Sequence, residues 1–383
     1  MGTMRKALFA ALLLATILPA GADEGLQAFL RQTLASARAK HPVPAIAALI
    51  MKDGRVVAEA AVGVRALGRP EPVSMDDRWH LGSDTKAFTS TMIARLVEQG
   101  IMGFDDTLAA SFPGFAAEMD PEYRKVTVRQ LLSHTAGLPP LTDPRELPVL
   151  FDAIRGNAEI KTQRAAAARK YLSMPPASKP GEFAYSNVGY IIAAAIAEAK
   201  TGKSWEELVT EQVFAPLGIR HAGFGAPGKG GVADEPRGHR DMAGVLQPMD
   251  PFDPESDNPQ AMGPAGRINI TLRDWARFAE DQLEGALGRG KLLRPGSYRE
   301  LQKPVQTPHT GNYALGWAVL DDAEGRPLIL GHTGSNGYWY SDVRMWPKDR
   351  LVQLIAINAG NADAKAALAW VQMSLRLRLR PAM

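Results

Sequence analysis

Ser83 and Lys86 stand three residues apart in Ser83-Asp84-Thr85-Lys86, at the head of a stretch whose apolar residues recur with helical period. Side chains at that spacing share a helix face, so the amine lies within reach of the hydroxyl. A cation in the first turn opposes the positive end of the helix dipole, where a capping box would carry Glu or Gln. Dipole and burial both favour a neutral amine, and a serine nucleophile needs such an acceptor for its proton. The plain alternative is that Ser83 caps the helix and the pair has no chemical role. A Ser-x-x-Lys alone discriminates poorly, since about one or two arise by chance at ordinary composition.

Two further groupings carry chemistry. Tyr185-Ser186-Asn187 precedes a helical pattern that opens near Val188. There the Tyr185 phenol would exchange a proton, and Asn187 would donate to a substrate amide and contact the Lys86 region. Alternatively Ser186 or Asn187 is an N-cap and Tyr185 is core. His332-Thr333-Gly334, followed by Ser335-Asn336-Gly337, closes a strand pattern. It reads either as a turn or as a strand edge along which substrate lies, with the Ser335 N–H as an oxyanion donor. Lys200-Thr201-Gly202 falls where a helix ends, with Gly202 in the C-cap position, and His134 reads as a buried structural histidine.

These residues need elements to hold them. Residues 45–64 alternate around Asp53-Gly54, which predicts a hairpin. From Asp84 to Gln99 the period becomes helical, with Phe88, Met92, Ile93, Leu96 and Val97 on one stripe and Gly100 ending it. Helical patterns recur over 160–173, 187–200, 204–213 and 271–284. Strand patterns return at Tyr313–Leu320, Pro327–Gly331, Tyr338–Met345 and Leu351–Asn358, and Asp363 is placed to cap a last helix. The stretch 223–266 is rich in Gly, Pro and Asp, and so long a loop in a compact domain suggests function. Strands at both ends with helices between predict an α/β (α+β) fold. One antiparallel sheet is built from about 23–82 and 310–383 and flanked by helices, with an inserted, mainly helical region at about 83–309.

Composition narrows the rest. The 383 residues are 45% apolar and 22% charged, which excludes disorder and fibrous repeats. Lys plus Arg is 44 against 41 for Asp plus Glu, a net charge of +3, with no long run of like charge, so no nucleic-acid partner is expected. Cysteine is absent, which removes disulfides and thiolate chemistry. No His-Glu-x-x-His occurs, no metal or other cofactor is expected, and no Gly-x-Ser-x-Gly elbow occurs. Arg5 and Lys6, the apolar run Ala7–Leu18 and the Ala20-Gly21-Ala22 ending read as a cleaved secretory signal over residues 1–22. The run is too short for a stable membrane anchor. The expectation is a periplasmic or secreted domain over residues 23–383. Nothing in the sequence addresses its oligomeric state.

Taken together, the three groupings resemble the serine β-lactamase and penicillin-binding-protein superfamily. They fit best its branch of class C β-lactamases, D-alanyl-D-alanine carboxypeptidases and esterases. Ser83 to Tyr185 is 102 residues and Tyr185 to His332 is 147. Trp79-His80-Leu81-Gly82, the 128–138 segment, Pro264-Ala265-Gly266 and Leu315-Gly316-Trp317 also fit. The resemblance implies a β-lactamase/transpeptidase-like fold and an acyl-enzyme on Ser83, with a small-molecule or peptide ester or amide as substrate. It implies Lys86 and Tyr185 as proton shuttle, Asn187, His332, Thr333 and Gly334 along the substrate, and the Ser83 and Ser335 amides as oxyanion hole. Where class C β-lactamases carry Lys, this chain has His332, so an anionic β-lactam meets no fixed positive charge at that wall. The alternative is a catalytically idle protein that binds a wall peptide or other ligand.

Overall fold

A computed structural model describes residues 23–307 and 312–380, so the signal segment lies outside the described residues. Helix α1 (Glu24–Lys40) starts on Asp23, whose carboxylate accepts from the Leu26 N–H at 2.9 Å. Strands β1 (Ala45–Lys52) and β2 (Arg55–Gly63) form the hairpin expected at Asp53-Gly54. Both turn residues take positive φ, 51° and 74°, which an Asp-Gly pair accommodates. Between the chain ends lie β3 (Arg78–His80), β4 (Ala222–Phe224), β5 (His239–Met242), β6 (Val245–Pro248) and β7 (Ile268–Thr271). Strands β8 (Ala318–Asp321), β9 (Pro327–Ser335), β10 (Tyr340–Trp346) and β11 (Leu351–Ile357) complete the main sheet.

Its order is β2-β1-β11-β10-β9-β8, antiparallel throughout, and β1 pairs with β11 so that Ile46 faces Ile357 and Lys52 faces Leu351. The two chain ends therefore meet in the middle of the sheet, as the sequence suggested. The inserted region is not wholly helical: β3, β7 and β4 form a small sheet and β5 and β6 a hairpin. The alternation in β1 separates two apolar layers, not core from solvent. Ala45, Ala47 and Leu49 join the core beneath the helical region, while Ile46, Ala48 and Ile50 pack with Leu30 and Leu34 of α1 and with Val371. A strand covered on both faces reads as a continuous apolar run.

Helix α2 (Thr85–Glu98) is buried from Thr85 through Ala94, not along a single stripe, because it crosses the interior between sheet and helical region. The last helix, Ala362–Leu379, is capped by Asn361, whose side chain accepts from the Ala364 N–H at 3.1 Å; Asp363 instead sits in its first turn. The 223–266 stretch holds the β5–β6 hairpin and ends in a helical turn, Gly263–Gly266, beside α2.

Candidate active site

Ser83 occupies a short 3₁₀ turn, Gly82–Asp84, that runs into α2, and its side chain caps nothing. The hydroxyl is thereby left for Lys86, whose Nζ lies 3.1 Å from Ser83 Oγ. Lys86 is fully buried. Its Nζ also donates to Asn187 Oδ1 at 2.7 Å and to the Ala265 carbonyl at 2.8 Å. Burial pushes the amine well below its usual range, with the Asp84 carboxylate opposing. A neutral amine has two N–H groups, and two obligate acceptors take them. The lone pair is then directed at Ser83.

Tyr185 precedes helix Asn187–Thr201, which Ser186 caps by accepting from the Gly189 N–H at 3.3 Å. Tyr185 and Ser83 line the same cleft, and burial raises the phenol pKa far above the ordinary value, against the opposing pull of the Ser83 hydroxyl. Tyr185 therefore stays a neutral phenol. Its ring lies against His134, with centroids 4.1 Å apart. His134 is buried, its Nδ1 accepts from the Ser186 N–H at 3.1 Å, and burial keeps it neutral. It is a structural histidine, as expected. Both ends of the Asn187 amide are engaged, Oδ1 by Lys86 and Nδ2 by the Leu141 carbonyl at 2.8 Å. Asn187 lines the cleft, but its bonds place it chiefly as a holder of Lys86.

The third grouping divides. Ser335 lines the cleft with Ser83. Its hydroxyl is spent within the turn, donating to the Trp339 carbonyl at 2.7 Å and accepting from the Gly337 N–H at 3.0 Å. Only its backbone faces chemistry. Gly334 acts as a spacer: a Cβ there would lie 1.9 Å from the Leu81 carbonyl oxygen and 2.9 Å from the Ser83 nitrogen. Gly82, at φ 48°, is also too tight for a Cβ, which would lie 2.4 Å from the Ser335 nitrogen. These two glycines bring the Ser83 and Ser335 amides side by side. Gly334→Ala is expected to cost about 1–3 kcal/mol of stability, the usual penalty of overpacking. It should lower kcat with it, and an unchanged denaturation midpoint would contradict this packing role.

Two expectations are corrected. The His332 side chain turns behind Ser83 and not into the cleft: its Nε2 lies 3.0 Å from the Tyr313 hydroxyl and its Nδ1 3.4 Å from Asp84 Oδ1. Thr333 is its strand neighbour and points to the opposite face, where its hydroxyl donates to Asp342 at 2.9 Å. Behind Ser83 there is thus a buried polar layer. Asp84 accepts from the Ser341 hydroxyl at 2.7 Å, and burial raises its pKa to about 6 against the pull of His332 and Ser341.

The cleft encloses about 440 Å³. Ser83, Tyr185, Asn187 and Ser335 line it with Leu141, Leu147, Met262, Ala265, Asn258, Asn336 and Tyr338. Asp143 is its one charged lining residue among the described residues; no Lys or Arg lines it. Sequence reasoning missed Tyr313, the Asp84 layer and the carbonyls of Ala265 and Leu141. A backbone acceptor leaves no residue-type signal, although Pro264-Ala265-Gly266 stood out as a stretch.

The Beta-lactamase family model matches residues 30–377. Penicillin-binding protein 4 of Amycolatopsis lactamdurans is 29% identical over 347 residues, which cover 85% of this chain and 84% of that one. The octameric penicillin-binding protein homologue from Pyrococcus abyssi superposes with a TM-score of 0.71 at 25% identity, over 94% of this chain and 78% of its own. EstCE1, a hydrolase with promiscuous acyltransferase activity, reaches 0.74 over 92% of this chain and 98% of its own; at 20% identity it shares the fold.

Proposed function

The chain belongs to the Beta-lactamase family, and from that premise we propose that it is an exported serine hydrolase that cleaves esters or amides through an acyl-enzyme on Ser83. The observation that carries this reading is Lys86, buried 3.1 Å from Ser83 Oγ with two acceptors for its remaining hydrogens. Lys86 takes the Ser83 proton as Oγ bonds to the substrate carbonyl carbon. The amides of Ser83 and Ser335 receive the developing oxyanion. The proton then passes to the leaving group by way of Tyr185, which remains a neutral phenol. Water repeats the sequence in the second half, releasing the acid and free Ser83. Opposite shifts support Lys86 as the base: burial makes Lys86 easier to deprotonate and Tyr185 harder. Intact-mass analysis after incubation with a slow ester or a penicillin should show one acyl adduct, mapped to the peptide containing Ser83. An adduct on another residue would overturn the assignment.

The cleft also supports a preference. With no Lys or Arg along it, a substrate carboxylate meets no charge-assisted donor, which forgoes about 1.5–3 kcal/mol. A neutral ester should therefore exceed the same ester bearing a carboxylate by about 10–150-fold in kcat/KM. Equal values would refute the preference. Esterase or amidase activity on a substrate without a carboxylate thus ranks above dedicated β-lactamase activity. Export rests on residues 1–22, and a mature N-terminus at Asp23 would support it.

A further inference from the structure

Asp257 lies in the long stretch between β4 and β7, directly behind the lining residues Asn258 and Asn336, and its side chain is 5% exposed. Four groups converge on the carboxylate. His80 Nε2 is 3.0 Å away, Arg267 Nε 3.1 Å, Asn336 Nδ2 2.9 Å and the Asn258 N–H 2.7 Å. Burial alone would raise the pKa of this acid. His80, Arg267 and Asn336 outweigh it and hold it at about 2, so Asp257 is a firmly held anion.

What those partners are attached to matters more than their number. His80 ends β3, and its Nδ1 accepts from the Gly82 N–H at 3.1 Å, one residue before Ser83. Because Nδ1 accepts, Nε2 carries the ring hydrogen and donates it to Asp257. Asn336 follows Ser335, and its Oδ1 accepts from the Tyr338 N–H at 3.1 Å, which shapes the turn that presents the Ser335 amide. Arg267 follows the Gly263–Gly266 turn, whose Ala265 carbonyl holds Lys86. Asn258 closes the set by donating from Nδ2 to the Gly266 carbonyl at 3.2 Å. One buried charge therefore ties together the three backbone segments that supply the Ser83 amide, the Ser335 amide and the Lys86 acceptor.

We propose that Asp257 is a positioning residue for the oxyanion hole: through His80, Asn336 and Arg267 it fixes the separation of the two amides. The inference rests on the acyl-enzyme reading above. A tetrahedral oxyanion responds steeply to donor placement, whereas the ground-state carbonyl does not, so disturbing this tie affects kcat more than KM. A group that only stabilised the fold would lower the amount of folded enzyme and leave the properties of the folded fraction alone.

Asp257→Asn keeps the shape and removes the charge. For a neutral activated ester we expect kcat to fall about 10–100-fold, less than the loss of a whole oxyanion donor, while KM stays within about threefold. A boronic acid, whose tetrahedral adduct on Ser83 places an oxygen in the hole, should lose affinity by a similar factor. His80→Phe, which keeps ring volume and removes both nitrogens, should give the same kcat-specific loss and serves if Asp257→Asn does not fold. Unchanged kcat and boronic acid affinity in folded protein, with only a lower melting temperature, would overturn the proposal. So would a rise in KM at constant kcat, which would make this a substrate subsite. Ser83→Ala separates the two levels. If it abolishes turnover while Asp257→Asn leaves kcat intact, only this inference fails. If Ser83→Ala is itself active, the underlying reading fails.

Discussion

Ser83→Ala is expected to lower turnover of an activated ester by about 10⁴-fold or more while leaving the fold intact. None of the neighbouring Thr85, Ser335 or Ser90 hydroxyls is placed to replace it. Thr85 Oγ1 accepts from the Ile268 N–H at 3.1 Å, Ser335 Oγ is committed to the Trp339 carbonyl at 2.7 Å, and Ser90 Oγ lies 3.5 Å from the Tyr190 hydroxyl. Residual rate would come from binding and the oxyanion donors alone. Stability should change by less than about 1 kcal/mol, because Ser83 caps no helix and its methylene needs no repacking. The measurement pairs an ester assay with thermal denaturation and intact mass. Retained turnover, or a persistent acyl adduct in the variant, would mean that another group is the nucleophile.

That Ser83 could be picked out in advance follows from helical spacing. Three residues bring Lys86 to the same face, and a cation in a first turn is locally unfavourable, so sequence alone flagged the pair. Tyr185 and Asn187 were legible because they precede a well-marked helix. His332 and Thr333 were only half legible. Adjacent strand residues face opposite sides, so the two side chains could not share one wall, and the period-two rule already contained that correction. Which of them turned toward Asp84 depended on the β9–β10 register, in which Val343 faces His332 and Asp342 faces Thr333. Gly334 was legible as part of a motif, but its reason is a close approach to Leu81 and Ser83 from the other end of the chain. The strands at both ends were readable from alternation, whereas the meeting of β1 with β11 is a long-range pairing. Asp257 lay hidden in a stretch whose composition signalled a loop and nothing more.

Lys86→Ala should cost about 10²–10⁴-fold in kcat/KM, the usual worth of a positioned acid or base. Tyr185→Phe should cost a comparable amount, and the double variant should lose less than the product, since both act on one proton. The pH profile tests the roles more sharply. Burial depresses the Lys86 pKa, so the amine is a competent base above that value and activity is lost as pH falls through it. The wild-type profile should therefore carry an acid limb that Lys86→Ala removes. Tyr185 is shifted upward, so no alkaline limb from its ionisation should appear below about pH 10, the ordinary value for a phenol. Asp84, raised to about 6 by burial, is the neighbouring charge that favours the ammonium, with His332 beside it and His134 against the Tyr185 ring. Asp84→Asn removes that attraction, which lowers the Lys86 pKa further and moves the acid limb to lower pH. A limb that moves to higher pH, or one that persists in Lys86→Ala, would assign the titration to another group and remove Lys86 from the role of base.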